Sequence, residues 1–183
     1  MAATEMKNIW PVASSDGVAV ELEHGQIAAS QGILMPNSPM YLSTAGTWKV
    51  SETTDTSGEP FQGLFAGLGD ASATWPITAA LAADTDILVH MIDPDDTYKV
   101  FIENNGTDAA ALQTYVGEQY GLTVSATAGE VGYTTMDVNN ANATVKVVDI
   151  EENRTYKGDL TTAPGVAYVK FLAAASTQAG ERA

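Results

Sequence analysis

Short stretches in which apolar and polar residues alternate recur along this chain, with turn residues between them. Residues 17–22 (GVAVEL) alternate well, and strands are also predicted at residues 48–50, 145–150 and 166–172. Because successive side chains of a strand point to opposite faces of a sheet, this alternation predicts strands with one buried face. Further strands are predicted at residues 33–35, 40–42, 61–68, 121–125 and 133–138. Turn signals about every eight to twelve residues predict an all-β fold, a β-sandwich or barrel-like domain.

Residues 86–106, DILVHMIDPDDTYKVFIENNG, are the most strongly patterned stretch. Both faces of its first half are largely apolar, which predicts a strand buried on both sides. Residues 93–96 (DPDD) follow, and a proline flanked by aspartates favours a tight turn. Alternation resumes from residue 98 to residue 103 and predicts a returning strand. The stretch is therefore predicted to form a central hairpin around which the other strands are added.

One short helix interrupts the predicted strands. Thr107 and Asp108 are suitable N-cap residues for a helix over residues 109–120, although Gly117 weakens its last turn. The helix is therefore expected near residues 108–117. A turn is predicted at residues 24–26, after the strand at 17–22. The core is expected to include Ile87, Val89, Met91, Val100, Ile102, Val145, Val147 and Tyr168.

The pattern divides the chain into an N-terminal arm (residues 1–16), a single β-rich domain (17–172) and a flexible C-terminal tail (173–183). The arm has neither a strand nor a helix period that would bury its apolar residues. We hypothesise that these residues contact a partner: Met6, Ile9, Trp10 and Val12. Tryptophan is among the residue types most enriched at interface hot spots. The alternative is an edge strand at residues 9–10, since Pro11 argues against a central one.

Charge and composition exclude several classes of function. Eight basic residues against 23 acidic ones give a net charge of −15, which argues against nucleic acid as a partner. No run approaches the roughly 20 apolar residues of a membrane span, and the N-terminus lacks the pattern of a secretion signal. A soluble protein without a membrane partner is expected. The chain has no cysteine, so a disulfide or a zinc–thiolate site is impossible.

The sequence contains no motif of a catalytic, nucleotide-binding or metalloprotease site. Its two histidines, His24 and His90, lie in different predicted elements. The acidic residues 93–96 resemble part of a calcium loop. However, that pattern requires a glycine at its sixth position and a glutamate at its twelfth, where this chain has Tyr98 and Asn104. The sequence therefore predicts no catalytic residue, no cofactor and no metal site, and the protein is expected not to be an enzyme.

Five segments of the second half carry a family resemblance. They are the Asp93-Pro94-Asp95 turn between ILVHMI and TYKVFIEN, then YVGEQYGLT, TTMDV, VKVVDIEENRTY and VAYVKFL. In order and spacing, residues 63–172 resemble the capsid decoration proteins of tailed bacteriophages, also called cement or head-stabilising proteins. The resemblance implies a β-rich fold with one short helix and no enzymatic activity. It also implies attachment to the major capsid protein on the outside of an assembled capsid, often as a homotrimer.

The expected localisation is accordingly the capsid exterior of the virion, with the host cytoplasm as the place of assembly. Two alternatives remain. One is another virion component such as a tail-tube subunit, which would form rings and stacked polymers by itself. The other is a secreted β-sandwich that binds carbohydrate or protein, a class that normally carries an export signal.

Overall fold

A computed structural model describes residues 10–13, 22–29, 31, 34–50, 61–69, 81–103, 109–124, 134–140, 142–151 and 165–172, with backbone only for 10–13, 103, 109–111 and 124. These residues form eleven strands and one 3₁₀ helix, which confirms the predicted all-β fold. The strands are β1 (Trp10–Ala13), β2 (Leu22–Gln26), β3 (Pro39–Leu42), β4 (Trp48–Val50), β5 (Gly63–Leu68), β6 (Asp86–Met91), β7 (Thr97–Glu103), β8 (Gln119–Val124), β9 (Thr134–Asp137), β10 (Val145–Ile150) and β11 (Val166–Phe171). The 3₁₀ helix, Ala109–Tyr115, lies between β7 and β8.

Six strands form the sheet that we call the barrel sheet, in the order β1-β7-β11-β10-β8-β9. It closes because β9, which is antiparallel to β8, also pairs in parallel with the end of β7. The contact joins Ile102 to Met136 and Glu103 to Asp137. On the same side of β7, β1 pairs with its first three residues. The closed barrel therefore consists of β7 to β11, and β1 is an added edge strand.

The other five strands form the N-terminal sheet, in the order β2-β6-β5-β3-β4. All of its ladders are antiparallel. A parallel bridge between Ile27 and Trp48 connects the end of β2 with β4. Ala28 donates a hydrogen bond of 2.9 Å to the Trp48 carbonyl at this bridge. The two ends of the sheet are thus brought together.

Each sheet surrounds its own hydrophobic cluster. The N-terminal cluster consists of Ile27, Leu34, Met40, Trp48, Phe65, Ile87 and Val89. The barrel cluster consists of Phe61, Leu64, Ile92, Tyr98, Val100, Ile102, Leu122, Met136, Val145, Val147, Ile150, Ala167, Val169 and Phe171. Three members of the barrel cluster, Phe61, Leu64 and Ile92, come from the part of the chain that builds the N-terminal sheet. We call these three residues the plug, because they join the two sheets.

The plug packs against aromatic side chains at the barrel. Phe61 and Phe171 have ring centroids 6.3 Å apart, and Tyr98 meets Phe171 edge to face at 5.0 Å. The Tyr98 hydroxyl accepts a hydrogen bond of 3.0 Å from the Asp93 amide. Burial raises the pKa of Tyr98 well above its usual range, although this hydrogen bond opposes the rise. The Tyr98 hydroxyl in this aromatic junction therefore keeps its proton to a higher pH than an exposed tyrosine does.

The predicted central hairpin is wrong, although both of its strands and its turn exist. Strand β6 pairs with β2 and β5 in the N-terminal sheet, whereas β7 pairs with β11, β1 and β9 in the barrel sheet. The turn between them forms as its residues predict. Asp93 accepts hydrogen bonds from the Asp95 amide at its carboxylate, 2.8 Å, and from the Asp96 amide at its carbonyl, 3.1 Å. Turn chemistry reverses the chain here, but each strand already has other partners on both sides.

The predicted helix is present in a shorter and tighter form. The 3₁₀ helix ends at Tyr115, and Tyr120 lies in β8. Gly117 adopts φ 92°, a left-handed conformation that leaves the helix, and its amide donates to the Val147 carbonyl. The apolar residues at helical spacing are thus divided between two elements, the 3₁₀ helix and β8. Leu112 packs on one end of the barrel cluster, as does Tyr120 from the strand.

The turn predicted at residues 24–26 is also wrong, because these residues belong to β2. Gly25 is needed there for packing, since a Cβ at this position would collide with the Trp48 ring. Residues 17–21 lie outside the described residues, as do the arm up to residue 9, residues 14–16, and the tail 173–183. A turn forms after residue 35, with Asn37 at φ 63° and the Ser38 amide donating to the Met35 carbonyl.

Most of the predicted core is confirmed. Six of the eight residues are at most 3 % exposed: Ile87, Val89, Val100, Ile102, Val145 and Val147. Met91 is only partly buried against the N-terminal cluster. Tyr168 was wrongly assigned to the core, because it lies on the outward face of β11, opposite Lys99 of β7. The aromatic ring there packs against a lysine instead of the barrel interior.

Candidate partner-binding surface

The segment predicted to contact a partner contributes β1, the edge strand of the barrel sheet. Met6 and Ile9 lie outside the described residues, and for Trp10 and Val12 only the backbone is described. In the ladder Trp10 pairs with Lys99 of β7, and the register shifts after Pro11. An edge strand is thus present at Trp10–Ala13, whereas the alternative placed it at residues 9–10, of which Ile9 lies outside the described residues. Contact between this strand and a partner remains a prediction.

Three lysines share the outward face of three adjacent barrel strands. Lys99 lies on β7, Lys170 on β11 and Lys146 on β10. In register, Lys146 is directly opposite Lys170, and Lys99 is opposite Tyr168, two positions from Lys170. We call this surface the lysine face. Its lysines are three of the four basic residues within the described ranges, in a chain that has eight in all.

Two of these lysines are held by the chain itself. Lys99 Nζ lies 2.6 Å from Glu151 Oε2 and 5.7 Å from the centre of the Tyr168 ring. Lys170 Nζ donates a hydrogen bond of 2.7 Å to the Asp95 carbonyl. Lys146 is exposed to solvent. These contacts hold the long side chains of Lys99 and Lys170 in place on the face.

The pairing of Lys146 with Lys170 is unfavourable in the isolated protein. Like charges directly opposite each other on adjacent strands destabilise a sheet, by roughly 0.2–1 kcal/mol. A partner that presents carboxylates to both ammonium groups would remove this cost. The lysine face therefore has the charge expected of a contact with an acidic surface.

Exposed apolar side chains adjoin the lysine face. Val148 lies at the register shift of β10, two residues after Lys146, and is 39 % exposed. Val116, in the turn after the 3₁₀ helix, is 40 % exposed. The backbones next to them meet, since the Gly117 amide donates to the Val147 carbonyl at 2.9 Å. Exposed apolar side chains thus lie near Lys146.

The side chains considered for chemistry have structural surroundings. His24 and Asp86 form an exposed pair at 3.3 Å between β2 and β6. His90 lies on β6, and Asp93 holds the turn before β7. Across the described ranges, no three side chains that could ligate a metal come together. A helix long and apolar enough to cross a membrane is likewise not found in the described part of the chain.

Sequence reasoning missed the lysine face because its members are far apart in the chain. Each one had a local signal, since each lysine stands between two apolar residues of a predicted strand. That signal places each lysine on the outward face of its own strand. It does not say that β7, β11 and β10 are neighbours, and only the strand order brings the three lysines together.

Comparison with models of known protein families finds no match to this chain, and a search of curated protein sequences finds none either.

Proposed function

We propose that this chain is a structural virion protein that binds the outer surface of an assembled phage capsid and stabilises it. The observation that carries the proposal is the lysine face on β7, β10 and β11. These three strands are built by the segments TYKVFIEN, VKVVDI and VAYVKF, which belong to the stretch that resembles capsid decoration proteins. The stretch with the family pattern therefore also provides a surface suited to a macromolecular partner.

Charge supports the placement of the contact at this face. At a net charge of −15, copies of the chain repel each other and repel any acidic partner over most of their surface. The Debye length is about 8 Å at physiological ionic strength, so this repulsion acts mainly where surfaces come close. The lysine face is where the described basic side chains concentrate. Glu151 already pairs with Lys99, and Asp149 lies opposite Tyr168, so the positive charge offered to the major capsid protein, or to a neighbouring copy in a trimer, is mainly that of Lys146 and Lys170.

The proposal is tested by co-sedimentation of the purified protein with capsids of the phage that encodes it. Binding to mature, expanded capsids and not to unexpanded shells is expected. The double variant Lys146→Glu/Lys170→Glu should bind much more weakly. The single variant Lys146→Glu has Lys49→Glu as its matched control, since each lowers the net charge by two and Lys49 lies on β4 in the other sheet. Circular dichroism checks that all variants remain folded.

Each alternative has its own outcome in the same experiment. Rings or stacked tubes formed by the protein alone, without binding to capsids, would identify a tail-tube subunit. Retention on glycans without binding to capsids would identify a binding module. Equal binding of the double variant and the wild type would remove the lysine face from the contact.

A further inference from the structure

His90 lies at the junction between the two sheets. It is on β6, where it pairs in register with Leu22 of β2 and with Leu64 of β5. Residues that are opposite each other in a ladder point to the same face, so His90 shares its face of the sheet with Leu64. Leu64 belongs to the plug, and so does Ile92, two residues beyond His90. On the β2 side of this face Leu22 is 50 % exposed, so the imidazole lies where the face passes from solvent, at β2, to the plug residue Leu64, at β5.

The imidazole of His90 is buried in part and incompletely paired. Its Nδ1 atom is inaccessible to solvent and has no hydrogen-bond partner among the described residues. Burial holds the pKa of His90 below its ordinary value. A neutral imidazole tolerates this position, because one of its nitrogens carries no proton. An imidazolium has an N–H at both nitrogens, and the Nδ1–H would need an acceptor that the described part of the junction does not provide.

Other titratable groups around His90 are engaged elsewhere. On the same face of β2 and β6, His24 and Asp86 pair with each other. Strand β5 presents Leu64 and, next to it, Gln62, whose side-chain oxygen accepts a hydrogen bond from the Leu42 amide at 2.6 Å. Toward the barrel the titratable groups are Tyr98 and the turn residues Asp93 and Asp96. The Tyr98 hydroxyl accepts from the Asp93 amide, and the Asp93 carboxylate accepts from the Asp95 amide.

We propose that His90 makes the contact between the N-terminal sheet and the barrel pH-sensitive, so that protonation of its imidazole loosens the plug without unfolding the barrel. This proposal goes beyond the proposed function and does not depend on it. The new Nδ1–H is inaccessible to solvent in the closed junction, and separation of Leu64 and the rest of the plug from the barrel would give it access to water. The barrel remains closed, since its ladders contain no histidine.

The direction of the pH dependence follows from the lowered pKa. Above the pKa of an unfolded histidine, about 6.5, His90 is neutral in both the closed and the open junction. As the pH falls below this value, the open junction takes up a proton more readily than the closed one. The closed junction is therefore most stable relative to the open one at neutral pH. Its stability decreases as the pH falls through the lowered pKa of His90 in the folded protein.

Amide hydrogen exchange resolved by residue tests this proposal at about pH 7.5 and about pH 5, with rates corrected for intrinsic exchange. Two amides report on the junction: Ile92, which donates to the Gln62 carbonyl, and Asp93, which donates to Tyr98. Two amides report on the barrel: Val147, which donates to the Glu118 carbonyl, and Leu172, which donates to the Thr144 carbonyl. Protection of the junction amides should fall at least ~3-fold more than protection of the barrel amides on acidification.

The chain has only two histidines, which makes the controls direct. His24→Gln should retain the pH dependence of the junction, and His90→Leu should remove it. His90→Gln keeps a polar side chain that cannot take up a proton and serves as the second variant if His90→Leu does not fold. The proposal is overturned if the His90 variants still lose protection at the junction on acidification. Equal loss at the junction and the barrel in the wild type, or no loss at either, would overturn it as well.

Discussion

Gly63→Ala tests how closely the strands of the N-terminal sheet approach its core. Gly63 lies on β5 opposite Met91, and a Cβ at this position would collide with Cγ1 of Val89. It would also lie 3.1 Å from the His90 carbonyl oxygen and 3.3 Å from Cζ3 of Trp48. Two of these neighbours are core side chains that are at most 4 % exposed, and the third is backbone, so none of them can move away cheaply.

The expected effect is the difference of two terms. Overpacking of a filled core costs about 1–3 kcal/mol. Replacing glycine by alanine restricts the unfolded chain and returns about 0.4–1 kcal/mol. We therefore expect a net loss of about 1–2 kcal/mol in the free energy of unfolding, which corresponds to a decrease of roughly 2–8 °C in melting temperature for a chain of this size. Urea denaturation followed by tryptophan fluorescence measures the loss.

A double-mutant cycle with Val89→Ala identifies the cause. Val89→Ala alone removes two buried methyl groups and should cost about 2 kcal/mol. In the double variant the methyl group introduced at position 63 enters the space left by Cγ1 of Val89. The double variant should therefore lose about 1 kcal/mol less free energy of unfolding than the sum of the losses of the two single variants. Strict additivity, or a Gly63→Ala variant that is more stable than the wild type, would refute the packing of β5 against β6.

Three further predictions concern the junction, the edge strand and metals. Tyr98→Phe should lower the free energy of unfolding at neutral pH by about 1–3 kcal/mol, because the Asp93 amide loses its acceptor. Since the pKa of Tyr98 is raised, the wild type should also lose stability as the pH rises above about 10, and this part of the loss should be absent from Tyr98→Phe in alkaline urea titrations. Deletion of residues 1–14 should leave the barrel folded, because β9 closes it without β1, and should abolish capsid binding. An unfolded product by circular dichroism would contradict the first expectation, and a folded product that still binds capsids would contradict the second. Dialysis against a chelator should leave the melting temperature unchanged, and a lower value would reveal a structural metal.

Local patterns were sufficient to locate most strands. Val145–Ile150 has the bounds predicted for it, and Val166–Phe171 differs from its prediction by one residue. In both strands, apolar side chains at alternate positions enter one core. This pattern is readable from the sequence alone because the pleat of a strand places alternate side chains on the same face. The helix was less predictable. Leu112 and Tyr120 both pack on the barrel core at helical spacing, yet one belongs to a 3₁₀ helix and the other to a strand.

Strand pairing was not predictable from the same patterns. The acidic turn at Asp93 forms as expected, but β6 and β7 enter different sheets. A turn specifies the local path of the backbone, whereas pairing depends on which distant strands compete for the same edge. The apolar character of both faces of the segment around β6 was the available clue, since Ile92, directly after β6, belongs to the barrel cluster while Val89 belongs to the N-terminal cluster. The lysine face depends on pairing too, and was missed for the same reason.

The thermal stability of capsids with and without the protein tests the central claim most directly. Expanded capsids that lack the protein are heated alone, with the wild type, and with Lys146→Glu/Lys170→Glu, and the release of their contents is followed by a fluorescent dye. The wild type should raise the temperature of release until the binding sites are saturated, since a ligand stabilises the state to which it binds. The double variant should raise it much less at the same concentration. An unchanged release temperature at saturating wild-type protein would contradict a stabilising role on the capsid.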